Sequence, residues 1–156
     1  MDYRKLGDII RILVDGDGCP VIDIIEKTAK KYELQLIIFT NYAHQLETGY
    51  GRIKKYDIEA QEVDMAIANN CQVNDIIITQ DYGLAALVLG KGAYVINNNG
   101  YRFTEKNIDE LLMRRHHHAK MRRAGKKHTT QSKREANDNQ KFKRELIKLI
   151  EKIKEI

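Results

Sequence analysis

The chain of 156 residues is 42% hydrophobic and 31% charged, carries a formal net charge of +5, and has two cysteines. That length suits one domain with a sizeable core. No window of about 18 apolar residues offers a membrane span, the N-terminus lacks a signal-peptide core, and Cys19 and Cys71 form neither a metal motif nor a disulfide framework; a soluble, cytoplasmic protein is expected.

Elements follow in chain order. The apolar run Ile9–Val14 predicts a strand, and Val21, Ile24, Ile25, Thr28 and Ala29 fall at helical spacing over Val21–Tyr32. Between them lies Asp15-Gly16-Asp17-Gly18-Cys19-Pro20, with Pro20 suited to a first helical turn. Leu36–Phe39 predicts a second strand ending at Thr40-Asn41. A loop with Gly49 and Gly51 leads to a weak polar strand near Tyr56–Ala60 and a short helix, Val63–Ala68. Ile76–Ile78 is a strand ending at Thr79-Gln80-Asp81, Leu84–Leu89 an apolar helix, and Tyr94–Ile96 the last strand. Asn97–Gly100 must turn, and Thr104 reads as the N-cap of a helix running to about Arg115. Unbroken apolar strands alternating with helices predict an α/β fold, a three-layer sandwich around a mainly parallel sheet.

Composition changes after residue 118. Residues 1–113 carry 12 Lys+Arg against 17 Asp+Glu, a net −5, whereas residues 114–156 carry 15 against 5, a net +10. We read residues 1–118 as the α/β domain, 119–141 as a basic linker or arm that orders on binding, and 142–156 as an amphipathic helix. Its stripe is Phe142, Leu146, Leu149, Ile150, Ile153 and Ile156. That helix needs an apolar partner, either this domain, a second copy in a homodimer, or another molecule. An acidic body with a basic tail suits a polyanion.

The chemistry lies at element ends. Asp15 and Asp17 follow the first strand, Asp81 follows Ile76–Ile78, and Asp64 begins a short helix, so the right strand order gathers all four at one sheet edge. In an extended backbone residues i and i+2 face the same side, which would let Asp15 and Asp17 face one cation. Clustered carboxylates repel unless cations neutralise them, and hard oxygen ligands select Mg²⁺ or Mn²⁺. Such ions activate water and steady the leaving oxygen of a phosphodiester. The simpler reading is that each Asp caps a helix or a turn.

Val14-Asp15-Gly16-Asp17-Gly18-Cys19-Pro20-Val21 resembles the Val-Asp-Ala-Asp-Ala-Cys-Pro-Val signature of the uncharacterised bacterial YaiI/YqxD family, grouped with PIN-like nuclease domains. The likeness continues through Asp64, Asp75–Asp81, Leu84-Ala85-Ala86, Gly92, Asn97, Gly100-Tyr101, Thr104, Asn107-Ile108 and Arg122–Gly125. It implies a PIN-like fold and a metal-dependent ribonuclease in which Asp15, Asp17, Asp64 and Asp81 are catalytic and hold metal. The sequence departs from the family pattern where Gln61 replaces an Asp, Tyr82-Gly83 an Ile-Pro pair, and Asn98-Asn99 a Pro-Arg pair. In the tail, the usual Gly-Gly-Pro is missing, and Gly125-Lys126-Lys127-His128 stands there.

Asn41 and His44 follow the second strand and could position phosphate or water. Arg114, Arg115, Lys120, Arg122 and Arg123 would guide single-stranded RNA towards the acids, and Tyr42, Tyr50 and Tyr101 could stack on bases. Successive residues of a helix point about 100° apart, so His116, His117 and His118 cannot share one ion there. Two other readings use the same residues. Asp15-Gly16-Asp17-Gly18 resembles the opening motif of haloacid-dehalogenase-type phosphatases, in which the first Asp attacks phosphorus. Alternatively the chain is a non-catalytic nucleic-acid-binding module, whose binding would be salt-dependent and indifferent to Mg²⁺.

Overall fold

Apolar runs bounded by polar turns become the buried strands of one six-stranded sheet. A computed structural model describes residues 10–41, 46–57, 60–123 and 134–155, the side chains of residues 60, 61, 115, 118, 122 and 123 excepted. Ile9, Tyr42, His44, the arm residues 124–133 and Ile156 lie outside the described residues, as do the side chains of Gln61, Arg115, His118, Arg122 and Arg123. The elements are β1 (Arg11–Asp15), α1 (Ile22–Lys31), β2 (Gln35–Asn41), β3 (Arg52–Tyr56), α2 (Ala60–Asn70), β4 (Ile76–Ile78), α3 (Tyr82–Leu89), β5 (Tyr94–Ile96), β6 (Arg102–Phe103), α4 (Ile108–Arg123) and α5 (Ala136–Lys154).

The sheet order is β3-β2-β1-β4-β5-β6. β3 to β5 run parallel, and β6 returns antiparallel to β5. From β1 the chain builds outward through β2 and β3, then crosses to β4 on the other side. The switch point therefore lies between the carboxyl ends of β1 and β4, where open α/β sheets bind ligands.

Side-chain alternation feeds two cores, one on each face. Ile12, Val14, Ile38, Ile76 and Ile78 meet Val21, Ile25 and Ala29 around α1, together with Phe142, Leu146, Leu149, Ile150 and Ile153 of α5. Leu13, Phe39, Ile77 and Val95 meet Val63 and Ile67 of α2, Leu84 and Val88 of α3, and Ile108 of α4. The result is a three-layer α/β sandwich, α1 and α5 on one face and α2, α3 and α4 on the other. The apolar stripe of α5 is thus buried in its own chain. Among the described residues no helix is long and apolar enough to cross a membrane.

Several boundaries differ from expectation for identifiable reasons. β3 lies at Arg52–Tyr56, upstream of the expected Tyr56–Ala60. It is an edge strand of charged residues with no fully buried position, so it carries no apolar run to read. β6 has two residues and escapes periodicity altogether, so Tyr94–Ile96 is not the last strand. α2 begins at Ala60 rather than Val63, which puts Asp64 inside the helix and away from its cap. α4 continues to Arg123, past the expected end near Arg115. α5 begins at Ala136, ahead of Phe142, because Glu135 and Asp138 close a capping box.

At the opposite edge from the switch point, Arg11 grips Asp75 through two bonds, Nε to Oδ1 at 3.0 Å and Nη2 to Oδ2 at 2.6 Å. This pair ties the start of β1 to the turn that enters β4. It raises the Arg11 pKa, chiefly through the hydrogen bond to Asp75.

Candidate active site: carboxylates at the switch point

Asp15 ends β1 on the same face as Leu13, the face that α2 and α3 cover. Thr79, just after β4, donates its Oγ1 hydrogen to Asp15 Oδ2 at 3.1 Å, and the same Oγ1 accepts from the Asp81 backbone N–H at 3.0 Å. Asp81 caps α3, its Oδ1 accepting from the Leu84 N–H at 3.0 Å. The capping reading of Asp81 therefore holds, while its position keeps it beside Asp15 and Asp64.

The chain must turn after Asp15, and Gly16 allows it. Its N–H bonds to the Phe39 carbonyl at 2.7 Å. A Cβ there would sit 2.8 Å from Ile38 Cγ2, so a side chain would push β2 away. The turn sends Asp17 towards the end of β2. There Thr40 Oγ1 donates to Asp17 Oδ1 at 2.9 Å, and Asn41 donates from its backbone N at 3.4 Å and from Nδ2 to Oδ2 at 3.3 Å. Asp15 and Asp17 thus take different side-chain partners, Thr79 after β4 and Thr40 with Asn41 at the end of β2. Asn41 is thus one of the groups that orient Asp17.

Asp64 comes from the second turn of α2 and lies near enough to Asp81 for the two charges to interact. Burial raises the Asp64 pKa to about 7, and the charges of Asp81, Asp15 and Asp17 push the same way. Burial likewise lifts Asp15 to about 6, aided by Asp17 and Asp81 and opposed by the Thr79 hydrogen bond. Asp15 and Asp64 therefore both feel the charges of Asp17 and Asp81. Asp15 and Asp64 thus hold protons more tightly than free carboxylates do. The pocket's donors are hard oxygens, the chemistry that fits Mg²⁺ or Mn²⁺. Among the described residues no group of three or more His, Cys, Asp or Glu is already arranged to hold a metal ion.

Other expected residues stand apart. Arg114 lies exposed on α4 and pairs with Glu110 one turn back at 2.7 Å. Lys120, His116 and His117 are also exposed on that helix. Tyr50 donates its hydroxyl to the Leu34 carbonyl at 2.7 Å, at the far end of β2. Tyr101 packs edge-on against Phe103, with ring centroids 5.7 Å apart. Cys19 lies close behind the acids, its thiol donating to Asn98 Oδ1 at 3.6 Å. Burial pushes this thiol up to about 11, so it stays protonated at neutral pH.

Thr79 was not singled out from sequence, and Thr40, which with Asn41 imitates the second motif of haloacid-dehalogenase-type phosphatases, was not read as a partner of Asp17. Both follow an apolar strand run directly and are almost fully buried. A threonine directly after an apolar strand run, level with an Asp at the end of the adjacent β1, is the signal that could have found them.

The chain matches the model of the family described as "Uncharacterized BCR, YaiI/YqxD family" over residues 13–152. It is similar to a "UPF0178 protein" of Clostridium perfringens, 45% identical over 147 residues that span 94% of this chain and 99% of the relative. A Clostridium tetani relative of the same description is 47% identical over 145 residues, 93% of this chain and 99% of its own. A third, from Alkaliphilus oremlandii, is 46% identical over 138 residues, 88% of this chain and 89% of its own. No solved structure matches the chain.

Proposed function

The chain belongs to the uncharacterised YaiI/YqxD family, and from that premise we propose that it is a Mg²⁺- or Mn²⁺-dependent phosphodiesterase, a nuclease acting on single-stranded RNA. The observation that carries the reading is the mutual charge of Asp15, Asp17, Asp64 and Asp81, which with burial lifts Asp64 to about 7. A group of acids at the switch point in which Asp15 and Asp64 resist ionisation is suited to take a divalent cation together with a phosphate.

Asp15 and Asp81 would be the primary ligands, with Asp17 and Asp64 assisting. A bound divalent ion supplies a water of lowered pKa and a Lewis acid for phosphate charge. The protein's own part is orientation. Thr79 fixes Asp15 and the start of α3 together, and Thr40 with Asn41 fixes Asp17. Asp64, whose pKa burial raises to about 7, would give up its proton in favour of a bound cation.

The test is a side-by-side assay of a labelled RNA oligonucleotide and a small aryl phosphate monoester, each with Mn²⁺ or Mg²⁺. The reading requires metal-dependent cutting of RNA. Turnover of the monoester alone would replace it with a phosphatase. RNA binding without turnover of either would leave a binding module.

A further inference from the structure

Arg134 stands two residues before α5, and its guanidinium reaches across to the Asn97–Gly100 turn. Nε donates to Asn139 Oδ1 at 2.7 Å, Nη1 to Asn99 Oδ1 at 2.6 Å, and Nη2 to the Asn98 carbonyl at 2.6 Å. All three partners are neutral oxygens, so among the described residues no carboxylate pairs with this cation. Three of its five N–H groups are used, and two remain.

The turn that holds Arg134 also borders the acids. The Asn98 N–H meets Gln80 Oε1 at 3.4 Å, beside Asp81, and Asn98 Oδ1 accepts from the Cys19 thiol at 3.6 Å. Asn98 is buried. The Arg134 charge and the Asp15 charge both act on that thiol, in opposite senses. The turn itself is stiff. Asn97 Oδ1 accepts from the N–H groups of Asn99 and Tyr101, each at 2.9 Å. Gly100, at φ +84°, lies so close to α5 that a Cβ would meet the Lys141 carbonyl at 3.0 Å. The guanidinium is thus held on a braced turn whose Asn98 contacts Gln80, next in sequence to Asp81, and Cys19, which feels the Asp15 charge.

We propose that Arg134 holds a backbone phosphate of the nucleic-acid substrate at the rim of the acid pocket, which makes the start of α5 part of the substrate site. The inference rests on the phosphodiesterase reading of that pocket. A neutral side chain would serve to clamp the turn. A guanidinium adds full charge and the forked donor geometry that phosphate accepts. It also places positive charge beside a pocket whose carboxylates would otherwise repel a polyanion.

The experiment measures binding of a labelled single-stranded oligoribonucleotide to the full chain in EDTA across a salt series. Wild type, Arg134→Gln and Arg134→Lys are compared, with thermal melts of each. Losing one phosphate contact lowers the slope of log affinity against log salt by about 0.7. We expect that loss, with several-fold weaker binding at low salt, in Arg134→Gln, and in Arg134→Lys a wild-type slope with weaker binding, since the charge stays and the fork is lost. An unchanged slope in Arg134→Gln, or no binding by wild type, overturns the proposal. Should Arg134→Gln fail to fold, the Arg134 Nε–H resonance of the native chain decides: it shifts on RNA addition if the proposal holds and stays put if it does not. Cleavage is scored separately. A changed slope without metal-dependent cutting overturns the phosphodiesterase reading alone, and cutting with an unchanged slope overturns the role of Arg134 alone.

Discussion

Thr79 Oγ1 donates to Asp15 Oδ2 at 3.1 Å and accepts from the Asp81 N–H at 3.0 Å, so one buried hydroxyl joins β1, β4 and the start of α3. With the Asp17 backbone N–H, it holds the Asp15 pKa down against burial, and of the two it is the stronger contact. Thr79→Val keeps the shape and removes both bonds. Asp15 then titrates above its present value of about 6, and a buried N–H is left without its partner at a cost of about 1–3 kcal/mol. The rising limb of the activity–pH profile moves to higher pH in this variant. A profile identical to wild type would show that Thr79 does not act on Asp15.

The acid pocket destabilises the fold at neutral pH, and the sign follows from linkage. Asp15 titrates at about 6 and Asp64 at about 7 in the folded chain, against 3.8 for a free Asp. The folded state holds these protons more tightly than the unfolded state, so their contribution is full below about pH 3.8 and is lost as pH rises through 6 and 7. Asp15→Asn should therefore be more stable than wild type at pH 8 by about 2 kcal/mol, and by far less at pH 4. Asp64→Asn shifts stability in the same direction by a smaller amount, because its half-exposed carboxylate is screened by solvent. Denaturant unfolding at the two pH values checks both variants.

Divalent cations should reverse that penalty. Mn²⁺ or Mg²⁺ that binds the folded pocket raises the melting temperature by mass action. The rise is larger at pH 8 than at pH 5, since protons compete for the same oxygens. Asp15→Asn weakens it. A melting temperature indifferent to both ions at pH 8 would remove the metal from the account.

Arg11 and Asp75 show that an acid in a family motif can serve the fold. Asp75 adjoins the motif strand β4, yet it faces the edge away from the pocket and binds Arg11 twice. Arg11→Ala leaves a nearly buried carboxylate without its cation, which costs about 3 kcal/mol. Urea unfolding should report that loss, while metal binding by the folded fraction is retained.

How far the sequence reaches depends on what each element buries. β1, β2, β4 and β5 are legible because strands covered on both faces must be continuously apolar. β3 is a charged edge and β6 is two residues long, so neither leaves a periodic trace. The four acids are legible because each sits at or near the end of a readable element. Their separate partners are not, since Thr79 and Thr40 reach Asp15 and Asp17 only once β4 and β2 flank β1. Arg134 was hidden in a run of basic residues. Its place follows only once Phe142, Leu146 and Leu149 bring α5 back onto the sheet.

The most direct measurement is the rate at which labelled single-stranded RNA is cut by the native chain and by Asp15→Asn, with Mn²⁺ and with EDTA. The account predicts cutting by the native chain with Mn²⁺, none in EDTA, and a loss of at least about 100-fold in the variant, the scale on which removing one catalytic electrostatic contact acts. Equal rates for the two proteins, or cutting that persists in EDTA, would contradict it.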